Sequence, residues 1–147
     1  MTLPVNTSVL LTWFHEQGES EVEPARQLLA AHREERDRVI VLDLATYELG
    51  NVLLRPLGLP ADVVTEQLRL LLRLVGPLVH PRPSWMELAA ALGAQHRLSF
   101  YAAIWAAAAQ ALDCLLVTAD RQLLAAGLAV TATTAAPTLP GLRRRAD

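Results

Sequence analysis

Residues 98–120 read LSFYAAIWAAAAQALDCLLVTAD, and this stretch decides the fold class. Ser99 is placed to cap a helix reaching about Leu112. Tyr101, Ile104, Trp105 and Ala108 recur at helical spacing and form a packing stripe. The small residues 106–109 allow that helix to approach a sheet closely. Residues 115–118 are a short apolar run of buried-strand type, and Asp120 follows as the N-cap of a helix over 121–126 that ends at Gly127. A helix, a buried strand, a polar strand end and another helix make one unit of a parallel sheet covered by helices.

The alternation continues on both sides. A weak strand ends near Val5 and Asn6, with Pro4 removing a ladder donor. Helices are expected over 8–16, ended by Gly18, and over 24–32 with Pro24 in the first turn. The charged run 32–38 reads as a solvated helix end. A buried strand over 39–42 leads into a helix over 44–55, stopped by Pro56. A helix over 61–75 closes at Gly76 and Pro77, and 78–80 is a short strand or connector. Ser84 caps a helix that reaches Leu92 and ends at Gly93, and 129–131 is a last strand. The expectation is one domain over 1–135 and a tail, 136–147, holding Pro137, Pro140 and Arg143 to Arg145. That basic end is read as a solvated tail, with contact to RNA phosphates as the alternative.

Composition narrows the function. A chain of 147 residues, 52% hydrophobic and 19% charged, has enough apolar material for one core. Its net charge of −2 gives no broad attraction to nucleic acid, so any such site is a local patch. The single cysteine, Cys114, excludes an intramolecular disulfide and suits a reducing, cytoplasmic compartment. Residues 1–6 lack signal-peptide character. The leucine-rich segment 68–75 contains Arg69 and Arg73 and is too short to span a bilayer, so no membrane role is expected.

In open α/β sheets ligands bind beyond the carboxyl ends of the strands. Three such ends carry short polar groups: Asn6-Thr7-Ser8, Asp43 with Thr46, and Thr118-Ala119-Asp120. Glu48 is a sharper signal, because its helical neighbours Leu44, Ala45 and Val52 put it on a packing face. A carboxylate there must be paired, for instance with Arg55, or hold a metal. Asp120 can cap a helix and still offer lone pairs elsewhere. His15, His32, His80 and His96 show no ligand spacing. Asp113 precedes its strand, Glu87 reads as helix surface, and no aromatic set of RNA-stacking type stands out.

Four ordered stretches resemble the motif blocks of PIN domains, VapC toxins in particular. They are Asn6-Thr7-Ser8-Val9-Leu10-Leu11, Tyr47-Glu48-Leu49-Gly50-Asn51-Val52-Leu53, Leu98-Ser99-Phe100-Tyr101-Ala102-Ala103 and Leu116-Val117-Thr118-Ala119-Asp120. The resemblance covers almost the whole chain. It implies a three-layer α/β/α fold with a small parallel sheet, and an endoribonuclease toxin of a toxin–antitoxin pair. It also implies Mg²⁺ or Mn²⁺ held by a cluster of acids, with Ser8 and Thr118 orienting ligands or water. Glu48 and Asp120 match the family's metal-binding acids. Asn6 and Ala102 stand where that pattern carries aspartate. Asn6 keeps an oxygen without the charge, and Ala102 loses the ligand outright. Ala102 is also where Ser99 calls for an acid or amide to complete a capping box. The expectation is weak metal binding and impaired or absent cleavage. The alternative is a dead scaffold that binds RNA or an antitoxin.

The helix over 61–75 has a polar stripe of Glu66, Arg69 and Arg73 and is otherwise apolar. That exceeds what one sheet contact needs. Val64, Leu68, Leu71 and Leu72 are therefore expected at a partner interface, unless the helix is wholly internal. The resemblance supplies two partners, a second copy in a homodimer and a helical antitoxin segment.

Overall fold

The computed structural model describes residues 2–15, 20–34 and 38–136. Glu16, Gly18, most of the charged run after Glu34 and the arginine-rich tail fall outside the described residues. The elements are β1 (Thr2–Pro4), α1 (Thr7–Leu10) with a 3-10 turn (Leu11–Trp13), α2 (Val22–Arg33), β2 (Arg38–Ile40), α3 (Leu44–Leu54), α4 (Ala61–Val75), α5 (Pro83–His96), α6 (Phe100–Ala111), α7 (Arg121–Ala125) and α8 (Ala132–Ala135). The first helix is thus a single turn that tightens, where a helix over 8–16 was expected.

β1 and β2 pair in parallel, Leu3 opposite Val39. Single parallel bridges extend the array: Leu42 with Val79 beyond β2, Val5 with Val117 beyond β1, and Val117 with Val130. The spatial order of the segments is therefore 79, β2, β1, 117, 130. Val41 and Leu42 are both buried, as are Leu116 and Val117. Successive strand side chains point to opposite faces, so both faces are covered and the molecule has three α/β/α layers.

The apolar run at 115–118 pairs only around Val117, and Leu115 is 47% exposed. Pro4 is the physical reason. Its carbonyl accepts from the Val117 amide and the next donor on that edge, Asn6, reaches the Val117 carbonyl. With no N–H, Pro4 has nothing to offer the carbonyl of Leu115, and the ladder stops one step short.

The α5 boundaries also differ from expectation. Pro83 opens the helix after Arg82, as a first-turn proline does, so Ser84 lies inside it. Gly93 does not end it. A Cβ there would meet the Leu98 carbonyl oxygen at 3.4 Å and the Ala103 Cβ at 3.6 Å, ordinary contact distances, and the helix runs on to His96. Arg97, with φ of 55°, takes the left-handed terminal position instead. Residues 102–109 of α6 are all buried, as the alanine run anticipates.

On α4, Val64 and Leu71 point into the chain's own core, which corrects their placing at a partner interface. Leu68 lies against Gly50 of α3 and is half-buried. Leu72, at 46% exposure, and Val63 remain on the surface. A 15-residue helix packed along one side presents only its outer stripe, and here charged Glu66, Arg69 and Arg73 share that stripe. No described helix is long and apolar enough to cross a membrane.

Candidate active site at the carboxyl ends of the strands

The chain runs outward from β1 to β2 and the segment at 79, then returns to the other side of β1 at 117. The strand order reverses between Val5 and Val117, and the crevice of an open α/β sheet lies beyond such a point. The residues that follow these two strand ends, Asn6 to Ser8 and Thr118 to Asp120, are the ones that meet there.

Hydrogen bonds lock the two ends together. The Ala119 amide donates to Ser8 Oγ at 2.9 Å, and the Ser8 and Thr118 hydroxyls lie 3.3 Å apart. The Asp120 amide donates to Thr118 Oγ1 at 3.0 Å. Ser8 and Thr118 therefore act first on backbone geometry, fixing where Asp120 leaves the sheet. Asn6 caps α1, its Oδ1 accepting from the Ser8 amide at 3.0 Å. Asp120 caps α7, its Oδ1 accepting from the Gln122 and Leu123 amides at 2.8 and 3.4 Å. Each cap occupies one side-chain oxygen. Among the described residues, the second Asp120 carboxylate oxygen has no hydrogen-bond partner.

Glu48 arrives from the middle of α3. Its Oε1 accepts from Thr7 Oγ1 and from Trp105 Nε1, both at 3.0 Å. Among the described residues it makes no bridge to Arg55. Burial pushes the Glu48 carboxyl above its usual range; the Trp105 and Thr7 hydrogen bonds pull it back, and the Asp120 charge raises it again. Glu48, Asp120, Asn6, Thr7 and Ser8 line one cavity of about 270 Å³, walled by Leu11, Leu49 and Val52.

Thr7 and Trp105 were not singled out as site residues by sequence reading. Trp105 was read as core, and it is fully buried, but its indole N–H also needs a buried acceptor and finds Glu48. Ala102 sits one helical turn before Trp105, buried, with its amide donating to Ser99 Oγ at 3.1 Å. Asp43 does not line the cavity. Its Oδ2 is 2.6 Å from His80 Nδ1, a pairing at the ends of the next two strands that sequence spacing did not reveal. His32 Nδ1 accepts from the Val39 amide, tying α2 to β2.

Among the described residues no three His, Cys, Asp or Glu side chains gather where a metal could bind. Magnesium is commonly held by one or two carboxylates, with water and substrate phosphate completing the shell. Glu48 and Asp120, each with one carboxylate oxygen unpartnered among the described residues, and the neutral amide of Asn6 are the oxygen donors that could hold such an ion.

The family model described as PIN domain matches residues 5–128. The crystal structure of PAE2754 from Pyrobaculum aerophilum is similar in fold, with a TM-score of 0.67 and 24% sequence identity over 94% of this chain and 97% of that one. No curated protein sequence matches the chain.

Proposed function

Because the chain belongs to the PIN-domain family, we propose that it is a VapC-like toxin-type ribonuclease of a toxin–antitoxin pair whose metal-dependent cleavage is impaired or lost. The family indicates a nuclease, its members bind RNA, and they are generally dependent on a divalent metal. The observation that carries the proposal is the cavity at the strand reversal, which holds Glu48 and Asp120 but puts an amide at position 6. A methyl group stands at position 102.

A bound Mg²⁺ or Mn²⁺ would supply an activated water and offset phosphodiester charge. The chain's own part is positioning. Thr7 and Trp105 hold one Glu48 oxygen, and the other has no hydrogen-bond partner among the described residues. The α7 amides hold Asp120 likewise. Two like charges share the cavity, and Asn6, capping α1, adds an oxygen that carries none. Losing even a group that supports a metal ligand costs about 10–100-fold in affinity or activity. Losing two ligating charges should cost more.

The second reading, a scaffold that binds RNA or an antitoxin without cleaving, is favoured by Ala102, which offers no ligand atom. For partners we propose a second copy of the chain and a helical antitoxin segment, with Leu68 and Leu72 of α4 at the contact. The cytoplasm is the proposed compartment.

An RNA cleavage assay with Mg²⁺ or Mn²⁺ tests the proposal. The chain itself should give trace product at most, and Asn6→Asp with Ala102→Asp should restore cleavage. Equal cleavage by both proteins would contradict the impairment. No cleavage by the double variant would remove the nuclease reading and leave the scaffold.

A further inference from the structure

Glu48 borders two depressions. One is the acid cavity. The other, of about 400 Å³, is lined by Leu44, Tyr47, Glu48, Asn51, Val52 and Tyr101. Tyr47 is 75% exposed and Tyr101 is 62% exposed. They come from different helices, α3 and α6, which the Trp105–Glu48 hydrogen bond ties together. Each tyrosine immediately precedes a position of interest, Glu48 or Ala102. Two large exposed rings on two helices thus stand at the rim of one depression that Glu48 also borders.

The chemistry of the lining selects a ligand. Aromatic faces stack on nucleobases of any sequence. Asn51 lies one turn beyond Tyr47, and its amide offers a donor and an acceptor together, the pairing that a base edge presents. The net charge of −2 gives no overall attraction for a polyanion, and stacking adds affinity that net charge does not supply. A base within a duplex is already stacked on both sides and its face is out of reach, whereas an unpaired base can be splayed onto a side chain.

Resting on the nuclease reading above, we propose that the depression between Tyr47 and Tyr101 is a subsite for one unpaired base of single-stranded RNA. The base stacks on the tyrosines and Asn51 meets its edge, beside Glu48. The two tyrosines, absent as a set from the linear sequence, become one platform only in the folded chain.

The test is binding of a short single-stranded RNA carrying 2-aminopurine, read by anisotropy and by fluorescence quenching, in EDTA so that no cleavage contributes. Because both side chains are exposed, Tyr47→Ala and Tyr101→Ala should fold and melt like the parent. Each should weaken binding by about 5- to 150-fold and relieve the quenching. Tyr47→Phe and Tyr101→Phe, which keep the ring face, should retain both signals. If the alanine variants bind and quench like the parent, the subsite is overturned while RNA binding stands. If the parent itself binds no RNA, the subsite and the RNA-binding reading both fall. If the alanine variants dissociate a dimer in sedimentation yet keep RNA affinity, the face serves self-association and the subsite is overturned.

Discussion

Replacing Thr7 with valine removes one hydroxyl and almost nothing else. Thr7 is buried, and its Oγ1 donates to Glu48 Oε1 at 3.0 Å. The same oxygen keeps its second donor, Trp105 Nε1. A hydrogen bond to a charged group contributes about 1.5–3 kcal/mol, and the surviving donor and the partial exposure of Glu48 place this one at the low end, about 1.5 kcal/mol at neutral pH. In a chain of this size that is a loss of about 3–6 °C in Tm. The pH dependence is the sharper signature. Glu48 already has its folded pKa raised by burial, and losing a donor raises it further. Between the unfolded carboxylate pKa and the higher folded value, the folded state holds more protons than the unfolded one, so stability falls as pH rises through that interval. The deficit of Thr7→Val should therefore be largest at pH 7. At pH 4, with the carboxyl protonated and the bond neutral, it should shrink to about 0.5–1 kcal/mol. Urea denaturation of both proteins at the two pH values, in EDTA, measures it. A deficit that is the same at pH 4 and pH 7 would refute the assignment of Thr7 as a donor to an ionised Glu48.

Other outcomes follow from the same geometry. Glu48→Gln keeps an acceptor for Thr7 and Trp105 while removing a desolvated charge beside Asp120, so it should raise stability at pH 7 and flatten its decline above pH 4.5, measured by thermal melts across that range. Asp120→Ala removes the cap of α7 and should cost about 0.5–2 kcal/mol without any metal, whereas Asp120→Asn should hold the cap, both read by urea denaturation. Gly93→Ala should leave stability unchanged or raise it by up to about 1 kcal/mol, because the glycine lies inside α5 and an added methyl group would meet the Leu98 carbonyl and Ala103 at ordinary contact distances; a lowered midpoint in urea would show that the α5–α6 contact has no room for it.

The fold class was legible because its signals are local. The 61–75 helix ends at Gly76, the alanine-rich helix is capped by Ser99, and Asp120 caps α7, all as the sequence indicates. The misplacements arose where tertiary contacts override local cues. Gly93 reads as a helix end, but α5 runs on to His96 and Arg97 takes the left-handed position. Residues 115–118 read as a full strand until Pro4 withholds a donor from the neighbouring edge. Glu48 could be marked as a carboxylate needing a partner, but the partners, Thr7 and Trp105, are 41 and 57 residues away in sequence and only the fold supplies them. Tyr101 belongs by spacing to the α6 packing stripe, but unlike Ile104, Trp105 and Ala108 it lies in the first turn and stays 62% exposed, and its nearness to Tyr47 is a tertiary fact. On α4 the apolar surplus was real, but the sequence did not tell which half of it the core would take.

The most direct measurement of the central claim is Mn²⁺ binding by calorimetry to the chain and to its Asn6→Asp, Ala102→Asp variant at neutral pH, without RNA. The chain should bind weakly or undetectably and the variant clearly, with the variant stabilised by about 2.7 kcal/mol when Mn²⁺ is at a hundred times its Kd. Binding by the unaltered chain as tight as that of the variant would contradict the claim.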